Sequence, residues 1–342
     1  MTELRAFRAG DLPACLELLR RGHDSRFTEA RFRWLHEQAP GGSSRIVVCE
    51  KAGRLIGMSA VIPRPALLFG KAILAGRDVD PVVDPEHRGQ GLFTAMLKWL
   101  LNGLNGIDVL YNFANRASAP GFQRCGWRVA GQLTDHVVQL GYRKPFSREH
   151  LLYRVTGWLP RTKAGEEVRE IYAADLGSLP ASTIAVPESG FGAKRSLDYL
   201  KWRYAASPLG NYRYFMRKRD GVPLDLVVVS HSPEKRRLII MDMLAFATAG
   251  VRLQRYLPSW RAEFGDCWTG VWSGLPRPWR TGFITKPLAH RLGQLVLVRT
   301  APGREELLPP GFSVADIQIR ESRNERALRG REALINTSTP CI

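Results

Sequence analysis

Residues 78–97 read DVDPVVDPEHRGQGLFTAML, and this stretch decides the fold. A short extended run ends at Val82-Val83. The turn Asp84-Pro85-Glu86-His87 follows, then the loop Arg88-Gly89-Gln90-Gly91, then an apolar helix starting near Leu92. A helix opened in this way leaves several backbone N–H groups unpaired at its start. Together with the positive end of the helix dipole they suit a phosphate or pyrophosphate. Gly89 and Gly91 let the main chain approach a ligand with no Cβ in the way. The residues alone also fit an ordinary strand–turn–helix junction whose glycines serve the turn.

Working outward, the chain has neither a GxxxxGK[ST] nor a GxGxxG motif, so this is not a mononucleotide or dinucleotide loop. It resembles the acyl-CoA loop of the GNAT superfamily of N-acetyltransferases, a Val-x-Pro-x-x-Arg-Gly-x-Gly run at a strand-to-helix junction. Val83, Pro85, Arg88, Gly89 and Gly91 match it in register. A second stretch, Asn112-Phe113-Ala114-Asn115 followed by RASAPGFQRCGW, resembles the family's later strand and helix, with Asn115, Ser118, Phe122, Gly126 and Trp127 at the matching positions. Two motifs in order are more specific than either alone. The resemblance implies an α/β (α+β) GNAT fold, a mixed central sheet flanked by helices.

The periodicity around these motifs fits that fold. Leu12, Cys15, Leu16 and Leu19 predict a helix over 11–21, the first element, and a second helix is expected over 29–37. Strands are expected over 45–50, 55–62, 66–68 and 73–83, then a helix over 92–104 and a buried strand over 108–113. A short helix over 119–125 leads into an expected hairpin over 127–140.

The second half echoes the first. Residues 31–53 align without gaps with 199–221, so that Trp34 meets Trp202, Pro40 meets Pro208, Arg45 meets Arg213 and Gly53 meets Gly221. The shared pieces are a helix, a Pro/Gly turn, a strand and a hairpin turn, which points to a repeated fold. Strands are expected over 224–230, 237–244, 267–271 and 293–299, with a helix over 250–264. The position matching Arg88 is Tyr256, and the second half has no Arg-Gly-x-Gly loop. The expected organisation is therefore a GNAT acyl-CoA-binding domain over 1–142, a linker over 143–172, a degenerate GNAT-like domain over 173–320 and a flexible tail over 321–342.

Composition narrows the function classes. The 342 residues are 44% hydrophobic and 24% charged, a globular balance. No apolar run reaches the length of a membrane span, and the N-terminus lacks a signal-peptide core, so a cytoplasmic location is expected. The five cysteines include no CxxC pair, which argues against a zinc site or disulfide framework, and no metal is expected. A net charge of +18 suits anionic ligands, nucleic acid or an anionic surface. The arginines are spread along the chain and no nucleic-acid motif is present, so a nucleic-acid partner is not expected.

The resemblance also assigns roles. Acetyl-CoA would be the co-substrate, its pyrophosphate held by backbone N–H groups of Arg88, Gly89, Gln90, Gly91, Leu92 and Phe93. Backbone at Val82 and Val83 would pair with the pantetheine arm, with Asn115, Ser118 and Phe122 beside it. Asp78 and Asp80 are the candidate general bases; strand alternation would set both on one face, opposite Val79. They also fit exposed edge carboxylates, or Asp80 paired with Arg77 or Arg88, and His136 is a weaker alternative. Two positions depart from the family pattern: Phe93 stands where a small residue is usual, and Phe122 where a tyrosine usually protonates the leaving thiolate. The expected partner is a small primary amine, an amino sugar among them, and a homo-oligomer is compatible with the sequence. The competing readings are a FemAB-type aminoacyl or peptidyl transferase and a non-catalytic CoA-binding scaffold. Stabilisation by acetyl-CoA separates the first of these from the leading reading.

Overall fold

The computed structural model describes residues 2–23, 25, 27–115, 117–132, 135–139, 164–179, 191–234, 236–246, 251, 253–265, 269–273, 286–288, 295–308 and 317–318. The expected tail over 321–342 lies outside the described residues, as do most of the expected linker and residues 267 and 268 of an expected strand. The chain divides into two compact units, and neither is a continuous stretch of sequence. The first comprises 1–133, 176–208 and 290–318, and the second 134–175, 209–289 and 319–342.

The first unit is built on β1 (Thr2–Ala6), α1 (Leu12–Gly22), α2 (Glu29–His36), β2 (Arg45–Lys51), β3 (Arg54–Leu68), β4 (Lys71–Val83), α3 (Leu92–Asn102), β5 (Val109–Ala114), α4 (Ala119–Arg124) and β6 (Arg128–Gln132). Strand β1 was not expected from the sequence, being five residues without clear alternation. The expected strands over 55–62 and 66–68 are one strand, β3, that runs through Pro63 and Pro65. Its partner β2 ends where Arg45 meets Val61, so the prolines sit where β3 needs no donor on that side.

In the second unit come β7 (Asp135–Gln139) and β8 (Glu166–Ile171), the latter inside the expected linker. The chain returns to the first unit for β9 (Phe191–Ala193) and α5 (Leu197–Leu200), which continues as a π-helical turn over Lys201–Ala205. The second unit then adds β10 (Tyr212–Arg219), β11 (Val222–Ser232), β12 (Arg237–Ala245), α6 (Leu257–Glu263), β13 (Thr269–Ser273) and β14 (Lys286–Leu288). Two last strands, β15 (Leu295–Thr300) and β16 (Ile317–Gln318), belong to the first unit.

The two sheets share one plan. The first runs β1-β2-β3-β4-β5-β15-β6, and the second runs β8-β10-β11-β12-β13-β7-β14. In each, one pair near the middle is parallel, β4 with β5 and β12 with β13, while the inserted sixth strand is antiparallel to both neighbours. The inserted strand of each sheet is supplied by the other half of the sequence. The expected hairpin over 127–140 is thus corrected: β6 pairs with β15 in the first sheet and β7 with β13 in the second. A boundary at 142 coincides with the edge of neither sheet, because local turn signals do not reveal which sheet completes a strand.

The repeat is also visible in the packing. Trp34 on α2 and Trp202 stack with ring centroids 4.9 Å apart. Trp34 Nε1 donates to the Trp202 carbonyl at 2.7 Å and Trp202 Nε1 donates to the Trp34 carbonyl at 2.8 Å. The two positions are 168 residues apart, the spacing of the sequence echo. One core of the first unit joins α3 and α4 to the sheet through Met96, Leu97, Leu100, Leu110, Phe122 and Leu297. The core of the second packs Phe215, Val227, Leu238, Tyr256, Trp260 and Phe264.

Candidate active site

The site is built where β4 and β5 part. Their parallel pairing covers only Ala75 with Val109, Gly76 with Leu110 and Arg77 with Tyr111. Strand β4 nonetheless runs on to Val83 and β5 to Ala114, so past the last pair each strand turns unpaired backbone toward the other. Within this opening β4 carries a bulge: Met58 opposes Val82 and Ala60 opposes Val79, which sets Asp80 and Pro81 against a single residue of β3. Asp80 takes a φ of +51° there, a left-handed conformation that Asp adopts more readily than most residues.

The bulge overturns the expectation that Asp78 and Asp80 share a face. Asp78 opposes Val61 and lies on the α3 face, where its Oδ1 accepts from Asn112 Nδ2 at 3.0 Å. Asp80 faces His36 of α2, whose Nε2 stands 3.5 Å from Asp80 Oδ2. An extra residue in the strand breaks the alternation on which the shared face rested.

The two environments push the carboxyls apart. Burial drives the Asp78 carboxyl well above the usual carboxylate range, and the charge of Asp80 adds to this; Asn112, Ser59 and Arg77 offset it only in part. Burial alone would also raise Asp80, but His36, with His23 and Arg31 behind it, outweighs that cost and holds the carboxyl below its ordinary value. The surroundings thus push the Asp78 carboxyl up and hold the Asp80 carboxyl down. A raised folded-state value means that folding loses stability as pH rises from the unfolded carboxylate range through the folded one. Asp78→Asn, which mimics the neutral acid and still accepts from Asn112, is therefore expected to raise the Tm at pH 8 by about 2–4 °C and leave it unchanged near pH 4. A melting series in pH checks this; an equal or lower Tm at pH 8 contradicts the assignment.

Next to the opening lies the glycine loop. Gly89 and Gly91 have φ of +79° and +76°, and a Cβ at either would meet nothing within 4 Å. Gly91 is the N-cap of α3, so no side chain caps that helix. Arg88 and Gln90 are exposed, and Arg88 Nε donates back to the Val83 carbonyl at 3.3 Å. Asp84, buried, anchors the preceding turn by accepting from Glu86 N and pairing with Arg21 and Arg54. Val83 and Leu92 pack on the α3 core, whereas Val82 lies against Gly22 of α1.

Both departures from the family pattern turn inward. Phe93 packs edge-on against Phe122 at 5.1 Å, using space left by Gly121, where a Cβ would come within 2.4 Å of the Phe93 ring. Phe122 is 1% exposed and also meets Trp127 at 5.1 Å, so its ring fills the core under α4. Asn115 is exposed; its Oδ1 accepts from Ser118 N at 2.9 Å, which leaves Nδ2 for another acceptor. Asn112, Ser59 and His36 went unselected in the sequence, since each pairs with a residue far along the chain. The side chain of His136 is not described.

The helix start is open and glycine-lined and lies beside a splayed, bulged strand. Residues 3–130 match the family described as "Acetyltransferase (GNAT) domain". This segment is a GNAT domain. No curated protein sequence matches the chain. Among solved structures, a conserved protein from Enterococcus faecalis V583 matches at TM-score 0.68 and 12% identity, over 90% of this chain and 74% of that one. A GCN5-related N-acetyltransferase from Anabaena variabilis matches at 0.63 and 11%, over 88% and 73%. A tandem GNAT protein from the clavulanic acid biosynthesis pathway matches at 0.53 and 10%, over 88% and 99%. At these identities the likeness is one of fold. No helix among the described residues is long and apolar enough to cross a membrane.

The second unit departs from the GNAT domain at the matching place. The N-cap of its α6 is Tyr256, which is fully buried and whose hydroxyl bonds to Asp225, itself paired with Arg217. An aromatic plug and an ion pair thus occupy the region that is glycine backbone in the first unit.

Proposed function

We propose that the chain is an acetyl-CoA-dependent N-acyltransferase acting on a small primary amine, with an amino sugar as one candidate acceptor. The observation that carries this reading is the uncapped, glycine-lined start of α3 opening beside the gap between β4 and β5. Bound acetyl-CoA would supply an activated acyl carbon and a thiolate leaving group. Backbone N–H groups from Arg88 to Phe93 hold the pyrophosphate, for which Gly89 and Gly91 leave the space. Unpaired backbone of β4 near Val82 and Val83 aligns the pantetheine arm and offers an N–H to the thioester carbonyl. Asn115 Nδ2 adds a donor at the far side of the opening.

Asp80, held ionised, receives the proton of the incoming ammonium. Asp78, held neutral, has a proton to give to the departing sulfur, a role that Phe122 cannot fill. Two titrating groups driven apart by their surroundings are the usual basis of an acid–base division of labour. The test is a thermal-shift assay with acetyl-CoA followed by a CoA-release screen over amines. No stabilisation by acetyl-CoA rejects the reading, and stabilisation without CoA release from any amine favours a scaffold. Asp80→Asn is expected to lower kcat by about 100-fold or more while the acetyl-CoA thermal shift persists. An Asp80→Asn enzyme with parental kcat would remove Asp80 from the mechanism.

A further inference from the structure

We infer that Asp78 and Asn112 form a polar wall at the inner end of the opening between β4 and β5, and that this wall limits the transferred acyl group to acetyl. This rests on the acyltransferase reading above. The last backbone pair of the two strands is Arg77 with Tyr111, so Asp78 and Asn112 are the first residues beyond it. Where the backbone ladder stops, their side chains take over: Asn112 Nδ2 donates to Asp78 Oδ1 at 3.0 Å and clasps the strands at the vertex. Asp78 is 4% and Asn112 7% exposed.

The neighbours of this pair carry the argument. Asp78 opposes Val61 on β3, and Asn112 opposes Leu297 on β15. The row across the α3 face of the sheet is thus Val61, Asp78, Asn112 and Leu297, and its two outer members belong to the apolar core. Packing alone would favour apolar residues in the middle of such a row, where polar groups are costly to bury. Asp78 Oδ2 moreover has no hydrogen-bond partner among the described residues. Buried polar groups kept at such a cost mark sites of function. Behind the wall the sheet is closed. Gly76 lies under Leu110, and a Cβ there would come within 2.8 Å of the Leu110 side chain and 2.7 Å of Val61.

The direction of the co-substrate brings its acyl end to this wall. With the pyrophosphate at the start of α3 and the pantetheine arm along Val83 and Val82, the thioester lies further back along β4, toward Asp78. Val82 opposes Met58 and Asp78 opposes Val61, so the two are three rungs of β3 apart, roughly 10 Å. A hydrogen bond to the thioester carbonyl, the acetyl group itself and one van der Waals contact fill that length. The acetyl methyl is attached to the carbon that carries the sulfur, so a side chain that reaches the departing sulfur also borders the methyl. A longer alkyl chain would have to break the Asn112–Asp78 bond and leave both groups buried against methylenes without partners.

Calorimetric titration of the full chain with acetyl-CoA and with butyryl-CoA, in the absence of any acceptor, tests the wall. The parent is expected to bind acetyl-CoA about tenfold or more tightly than butyryl-CoA. Asn112→Ala removes the donor of the clasp and opens space, and is expected to bring the two affinities within about threefold of each other. A merely structural role would weaken both ligands alike and leave their ratio unchanged. Asn112→Ser takes its place if the alanine variant does not fold, and the comparison in the parent needs no variant. Equal binding of the two thioesters by the parent, or an unchanged ratio in the folded variant, overturns the inference. If acetyl-CoA binds in that case, the acyltransferase reading stands and only the wall is lost; if neither thioester binds, both fall together.

Discussion

Gly91→Glu is expected to abolish acetyl-CoA binding, weakening it by about 100-fold or more, which is roughly 2.7 kcal/mol. The new carboxylate would stand at the start of α3, where backbone donors and the helix dipole favour a phosphate, and would repel it. The space a Cβ would enter is open, so no steric clash with the folded core is expected. The φ of +76° is the complication, since an L side chain there costs roughly 1–2 kcal/mol. Gly91→Ala measures that cost alone and is expected to lower the Tm while leaving binding within a few-fold of the parent. Calorimetric titration of both variants with acetyl-CoA separates charge from strain. Tight binding by Gly91→Glu would move the CoA site away from this loop.

The second large effect concerns the inserted strands. A chain ending at residue 142 is expected not to fold, although it contains the whole segment matched to the GNAT family over 3–130. It lacks β15, which bonds to β5 on one side and β6 on the other. Leu297 of that strand is fully buried in the α3 core, and Val298 beside it is 1% exposed. Without β15 the ladder between β5 and β6 is missing and an apolar strip is opened, a template for aggregation. Co-expression with residues 143–342 is expected to restore a soluble, acetyl-CoA-binding pair, because each fragment then supplies the other's missing strand. In the full chain, Leu297→Ala is expected to cost about 2–5 kcal/mol and to lower the melting point of the first unit. Circular dichroism and thermal melts of the short chain decide the matter. A cooperative melt with an acetyl-CoA shift from residues 1–142 alone would show that β15 is dispensable.

How much of this was legible in the sequence follows the range of the interactions involved. The glycine loop could be read because its conformation is local: Gly89, Gly91 and the helix start are close in sequence, and backbone conformation is written in residue type. The repeat was legible because Trp34 and Trp202 keep their spacing, and Tyr256 already showed that the loop is not duplicated. The placement of the two carboxylates was less accessible. Alternation sets Asp78 and Asp80 on one face, and a bulge is invisible until β3 provides the count against which one residue is extra. Phe93 looked like an obstruction until Gly121, on another helix, was seen to make room for it.

The sequence by itself therefore determined the GNAT character of residues 3–130, the glycine-lined turn that opens α3 and the lack of an Arg-Gly-x-Gly run in the second half. Those features depend on contacts within a few residues, where local chemistry is decisive. Only the tertiary structure decided that β15 completes the first sheet and β7 the second, that Asp78 and Asp80 face different partners, and that His36 stands behind Asp80. Each of these joins residues from 34 to more than 180 positions apart, as with Asp78 and Asn112 or Val109 and Thr300. No propensity or motif carries that information, because the free energy that selects such pairings comes from burial and hydrogen bonding in the assembled sheet.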